Sequence, residues 1–158
     1  MNDLSIDLLR FQSELRFRYL EGQRQLFDAV RRKYLAQTPE ELVRQLLVLY
    51  LVRDKGYPLG HLSVEKSIRV HGQTKRFDLL AYSPDSRPFL LAECKAPSVR
   101  LTNNTFFQAA TYNIALQVPY LLITNGPVSY CCHIDHQGKN YSFLPEVPPP
   151  PVSPFRGV

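Results

Sequence analysis

Apolar and polar residues change their spacing several times along this chain, and each change marks an element. From Thr38, the stretch TPEELVRQLLVLYLVRDKG sets Leu42, Val43, Leu46, Leu47, Tyr50 and Leu51 at the spacing of one wide helical face. Thr38 stands at the cap, Pro39 at the first helical position and Glu41 three residues past the cap. Gly56 and Pro58 end the pattern, which predicts a buried helix of about four turns. The period then drops to two. SVEKSIRV alternates, HGQT turns, KRFDLLAY runs into an apolar core, SPDSRP turns again and FLLAECK follows. The short polar links predict two antiparallel hairpins. NNTFFQAATYNIALQ returns to helical spacing for about three turns and stops before Pro119. YLLITN, SYCCHID and YSFL then read as three more strands, separated by Gly126-Pro127 and a polar turn.

The two ends are less regular. In LRFRYLEGQRQLF, Glu21-Gly22 lies between two short segments that fit a hairpin better than the alternative helix. The last fourteen residues, PEVPPPPVSPFRGV, hold six of the thirteen prolines and predict an extended tail or linker, with a Pro-rich ligand as the alternative. Residues 1–144 are therefore expected to form a single domain with an N-terminal extension over 1–37, and 145–158 a tail. Helix, three strands, helix and strands in that order predict an α/β domain with a central mixed sheet flanked by helices.

With 44% hydrophobic and 21% charged residues, the chain has the balance of a globular protein, and 158 residues suit one core. No apolar run nears the ~18 residues of a membrane span. The opening MNDLSIDLLR lacks the basic-then-apolar plan of a signal peptide, so a cytoplasmic location and no membrane contact are expected. Cys94 stands apart from the adjacent Cys131 and Cys132, a pattern that fits neither a disulfide framework nor a zinc site; all three read as packing residues. The four histidines are scattered and read as surface residues. A net charge of +5 is compatible with an anionic partner. Arg31, Arg32 and Lys33 fit either a solvated turn or a phosphate-contacting patch.

One strand breaks the usual rule. PFLLAECKAP has an apolar run fit for a protein interior, yet Glu93 and Lys95 place opposite charges at its end. Charges seldom enter such a strand unless they are paired or hold an ion. Alternation puts Glu93 and Lys95 on one face and Cys94 on the other, and a hairpin would lay Asp78 of the preceding strand across from them. Two close carboxylates repel unless they share a proton or a cation. Hard oxygen donors suit Mg²⁺ or Mn²⁺, which commonly complete their shell with waters and a substrate phosphate. An ammonium beside such an ion could orient a water or hold charge on a phosphate, which is a set for phosphodiester hydrolysis.

Asp78, fourteen residues, then Glu93-Cys94-Lys95 resembles the PD-(D/E)xK nuclease signature. TPEELVRQ, KRFDLLAY, LLAECKAP, FFQAATYN and LLITNG, in that order and spacing, resemble the N-terminal nuclease domain of type I restriction-enzyme R subunits over about residues 25–126. The resemblance implies a restriction-endonuclease-like core of order αβββαβ and a Mg²⁺- or Mn²⁺-dependent DNA endonuclease. It implies Asp78 and Glu93 as metal-binding acids, the backbone carbonyl of Cys94 as a further ligand and Lys95 as the catalytic lysine. Gln108 matches a glutamine placed near the site, with Tyr112 one turn on. Glu41 resembles an acid that the superfamily often supplies from the helix before the sheet. Its spacing from Thr38 also completes a capping box without any metal, and Glu40 is the less favoured alternative ligand.

Two departures stand out. Phe77 replaces the proline of the signature's name, and no G-x-x-x-x-G-K-[ST] loop is present for the translocase that R subunits carry. The expectation is a nuclease-like domain that stands alone or is targeted by a partner, with DNA and restriction–modification subunits as its implied partners. One site per chain cutting two strands would favour a homodimer. A nuclease fold kept only for DNA binding or complex assembly is the alternative.

Overall fold

The computed structural model describes residues 4–153. A 3-10 turn at Leu8–Glu14 leads into a small sheet of β1 (Phe17–Leu20), β2 (Gln23–Asp28) and β3 (Lys33–Ala36), all antiparallel. The expected hairpin turns at Glu21-Gly22, where both residues take the positive φ that a two-residue loop requires. The third strand is an addition to the sequence reading, and Arg31 is the reason. Buried Asp28 accepts the Val30 and Arg31 backbone N–H groups, each at 2.9 Å, and the Arg31 Nε–H at 2.5 Å. That turn folds β3 back onto β2 and divides the basic triplet: Arg31 is drawn inward, while Arg32 and Lys33 stay exposed.

α1 (Pro39–Arg53) starts as its cap predicts, with Thr38 Oγ1 accepting the Glu41 N–H at 3.1 Å. Val43, Leu46, Leu47, Val48 and Leu51 are almost wholly buried, each such side chain contributing ~1.5–3 kcal/mol of transfer free energy. β4 (Leu62–Val70) and β5 (Gln73–Tyr82) then pair over His71-Gly72, and β5 pairs antiparallel with β6 (Pro88–Cys94). α2 (Asn103–Leu116) is capped by Thr102 and carries the chain over to β7 (Tyr120–Thr124), which lies parallel to β6. β8 (Ser129–Asp135) and β9 (Asn140–Phe143) complete a six-stranded mixed sheet of order β4-β5-β6-β7-β8-β9. This is the mixed α/β sandwich expected from the pattern.

The sheet separates two cores. Leu79, Ala81, Leu90, Ala92, Cys94, Leu122 and Cys131 pack toward α1. Phe77, Leu80, Leu91, Leu121, Ile123 and Cys132 pack on the other side, beneath Phe106 and Ala109 of α2. β6 and β7 sit between both layers, which is why they read as continuous apolar runs. The three cysteines are free and buried, and burial pushes the Cys131 and Cys132 thiols up to about 12.

Two details depart from the pattern. His133 packs its ring on Tyr120, and His136 Nε2 lies 2.8 Å from the Val118 carbonyl, so these two are half-buried. Residues 145–153 form no helix or strand, yet Val147 is wholly buried and the Tyr57 hydroxyl donates to the Pro148 carbonyl at 2.7 Å. Composition predicts the missing secondary structure, but not which residue anchors the segment; 154–158 lie outside the described residues. No helix among the described residues is long and apolar enough to cross a membrane.

Candidate functional site

The β5–β6 ladder runs through Ala81↔Leu90, Leu80↔Leu91 and Leu79↔Ala92, and there its rungs end. One step further Asp78 stands opposite Glu93, and its side chain replaces the ladder: Asp78 Oδ2 accepts the Cys94 N–H at 2.7 Å. Side-chain alternation breaks at the same place. Leu79 and Ala81 face α1, yet Phe77, two residues before Leu79, packs on the α2 side. On the other flank the β4–β5 pairing passes over Glu65 and Asp78, and Glu65 has a φ of 52°. That left-handed conformation costs a non-glycine residue about 1–2 kcal/mol and needs support from its surroundings. Both neighbours of β5 thus part from it at Asp78.

Three of the sequence-predicted groups come together in this gap. The Glu93 carboxyl is pushed up to about 8, first by burial, then by the charge and hydrogen-bonding contact of Asp78; Lys95 and Arg44 oppose the shift. At neutral pH the two acids therefore hold a proton between them. Burial, ahead of the nearby acids, holds the Cys94 thiol well above its ordinary range, so its side chain is a neutral packing group.

Arg44 lies behind the acids. Its guanidinium is almost fully buried and reaches Glu41 Oε2 at 2.5 Å, Asp78 Oδ1 at 3.4 Å and the Glu65 carboxylate. Burial works against its charge, but Glu41, Glu65 and Asp78 outweigh it and raise its pKa. Arg76 also pairs with Glu65, which supports the strained residue. Glu41 accepts further bonds from Gln45 Nε2 at 3.1 Å and Arg31 Nη2 at 3.3 Å. Its carboxylate is thus held by three side chains, and its backbone N–H takes the Thr38 cap. Gln45 Oε1 accepts the Ala29 N–H at 3.2 Å, which ties α1 to the N-terminal sheet. Glu40 is exposed.

Gln108 is exposed on α2 and, among the described residues, has no hydrogen bond to Asp78, Glu93 or Lys95. Tyr112 is also exposed, with the Lys75 ammonium 4.6 Å from its ring centroid. Glu65 is a site residue that the sequence reading missed. The signal was available: once His71-Gly72 is the turn, counting back along both strands sets Glu65 opposite Asp78.

Among the described residues no three His, Cys, Asp or Glu side chains form a metal cage. Two carboxylates that must share a proton still fit a divalent cation, which would replace that proton. Mg²⁺ and Mn²⁺ accept such a sparse donor set because waters and substrate phosphates complete their shells.

Glu93 also sets a pH dependence. Its folded pKa of about 8 exceeds the ordinary 4.5, so between these values the folded state binds the extra proton. This contribution to stability is whole below about pH 4.5 and is lost as pH rises to about 8. In the metal-free protein, the unfolding free energy of the parent relative to Glu93→Gln should fall by up to ~1.4 kcal/mol per pH unit across that window. Urea titrations at several pH values measure it, and a flat difference would mean that Glu93 is ionised throughout.

Comparison with known proteins adds three findings. Residues 39–148 match the family described as type I restriction enzyme R protein N terminus. The fold is similar to the fragment structure of a proposed HsdR subunit of a type I restriction enzyme from Vibrio vulnificus YJ016, with a TM-score of 0.52 and 20% identity. That match covers 70% of this chain and 24% of the other, so this chain spans about a quarter of its length. Among curated proteins, none matches.

Proposed function

The chain belongs to the family of type I restriction enzyme R protein N-terminal domains, and from that membership we propose that it is a Mg²⁺- or Mn²⁺-dependent endonuclease that hydrolyses DNA phosphodiester bonds. The observation that carries this reading is the meeting of Asp78, Glu93 and Lys95 where β5 parts from its neighbours. A divalent ion bound there would polarise a phosphoryl oxygen and acidify a water for attack.

The chain's own groups divide the remaining work. The Cys94 N–H fixes one Asp78 oxygen, and Arg44 lies near the other. Glu93 would give up its proton on becoming a ligand, which would tie metal affinity to pH. Lys95 carries positive charge beside Glu93, where it can hold the charge that develops on a phosphate. Glu41 acts through Arg44 as a positioning residue. Gln108 could approach the site only from the exposed surface of α2. The partners that follow are DNA and the other subunits of a restriction complex.

The second reading, a domain that binds DNA without cutting it, draws on Arg44, whose cation already faces Glu41 and Asp78. Incubating the protein with DNA in Mg²⁺, and in parallel with EDTA, separates the two. Cleavage that needs the metal supports the nuclease. Binding with no cleavage in Mg²⁺ or Mn²⁺ supports the silent module.

A further inference from the structure

The N-terminal sheet lies before the residues that match the family, and it carries its own chemistry. Pairing sets Leu26 and Asp28, both wholly buried, on one face. Arg18, Gln25, Phe27 and Tyr34 fall on the other, joined by Arg16 where the chain enters β1. On this outer face the Arg16 guanidinium lies 4.3 Å from the Phe27 ring centroid and that of Arg18 4.2 Å from Tyr34. The two rings are 5.1 Å apart, and Gln25 Oε1 accepts the Arg18 Nε–H at 2.7 Å. Arg24 sits 3.9 Å over Phe17 on the opposite face, the side of Leu26 and Asp28.

Exposed Arg16, Arg18, Arg24, Arg32 and Lys33 make no ion pair among the described residues, and neither do Arg69 and Arg100, but only around the N-terminal sheet do such residues cluster so closely in sequence. The only acid within the three strands is Asp28, which faces inward onto Arg31.

We propose that this outer face is a docking surface for the sugar–phosphate backbone of duplex DNA, separate from the carboxylates and independent of metal. A guanidinium held over a ring is ordered in advance and keeps terminal N–H donors for phosphate oxygens. The rings are themselves covered by guanidinium groups, so unpaired bases find no open stacking platform. Asp28, Arg31, Glu41, Arg44 and Asp78 form one chain of ion pairs from the sheet to the site, which fixes the distance between the two contacts. The proposal deepens the nuclease reading by giving its substrate a second hold, but it does not depend on cleavage.

Anisotropy of a fluorescent short duplex, titrated in EDTA at several salt concentrations, tests it. Arg16→Gln/Arg18→Gln should weaken binding by ~10-fold or more near physiological salt and lower the slope of log K against log salt by about 2. Arg16→Gln and Arg18→Gln taken singly should each act in the same direction, which guards against a folding defect in the double variant. Arg87→Gln/Lys139→Gln, elsewhere on the surface, should bind as the parent does. Parent-like binding by the double variant and by both single variants, no duplex binding by the parent, or tighter binding of single strands would overturn the proposal. Arginine-dependent binding without cleavage in Mg²⁺ would support it while sinking the nuclease reading alone.

Discussion

Asp78→Asn and Lys95→Ala are each expected to lower Mg²⁺-dependent DNA cleavage by on the order of 10³-fold or more, with the fold intact. The two substitutions fail for different reasons. Asparagine keeps an oxygen that can accept the Cys94 N–H, so the bond that closes the end of the β5–β6 ladder survives. It lacks the negative charge that would draw a cation to the half-buried Glu93. Alanine at 95 removes the positive charge beside Glu93, and with it the group placed to hold charge on a phosphate. Asp78→Ala makes a useful contrast, because it also leaves the Cys94 N–H without its acceptor, at a cost of about 1–3 kcal/mol in stability. Gel assays of cleavage beside urea unfolding separate the two effects. Equal cleavage by parent, Asp78→Asn and Lys95→Ala would place the chemistry elsewhere or in a contaminant.

The largest loss of stability should come from Arg44→Met. Methionine fills much of the volume but removes the one cation that Glu41, Glu65 and Asp78 share. Breaking a buried ion pair from one side typically costs ~3–5 kcal/mol, because the partner charge is left in low dielectric. Glu41 would retain Arg31 and Gln45, and Glu65 would retain Arg76. Asp78 would face Glu93 without the opposing charge of Arg44, so the Glu93 pKa should climb further. Glu41→Gln added to Arg44→Met should recover part of the loss, since a neutral amide tolerates the vacated position. Denaturant midpoints of the four proteins in that cycle measure the coupling. Simple additivity would mean that Arg44 and Glu41 contribute independently of each other.

Much of the fold is legible because its signals are local. Thr38, Pro39 and the spacing from Leu42 to Leu51 mark α1 without reference to anything distant. FLLAECK and YLLIT show as apolar runs because the sheet's centre is covered on both faces. The acid pair and Lys95 stand out for a related reason: charge at the end of a buried strand is costly and so conspicuous. What stays hidden depends on contacts far apart in sequence. β3 is four residues long and exists because Asp28 folds the preceding turn around Arg31. Val147 lies in a Pro-rich segment and gives no local hint that it is buried. The partners of Arg44 lie on α1, β4 and β5, so its role appears only once the register sets Glu65 across from Asp78. At Glu41 spacing alone leaves the role open: a capping box and a metal ligand both fit its position, and in the structure its carboxylate is held by Arg44, Gln45 and Arg31.

Mn²⁺ titration calorimetry at pH 7, repeated in buffers of different ionisation enthalpy, bears most directly on the claim that Asp78 and Glu93 share one divalent ion. A carboxyl pair that holds a proton must release it to bind the metal, so close to one proton per ion should appear at pH 7 and none well above pH 8. Glu93→Gln should bind more weakly and release no proton. Binding of the same strength and proton count in the parent and in Glu93→Gln, or no binding by the parent with or without DNA, would contradict the account.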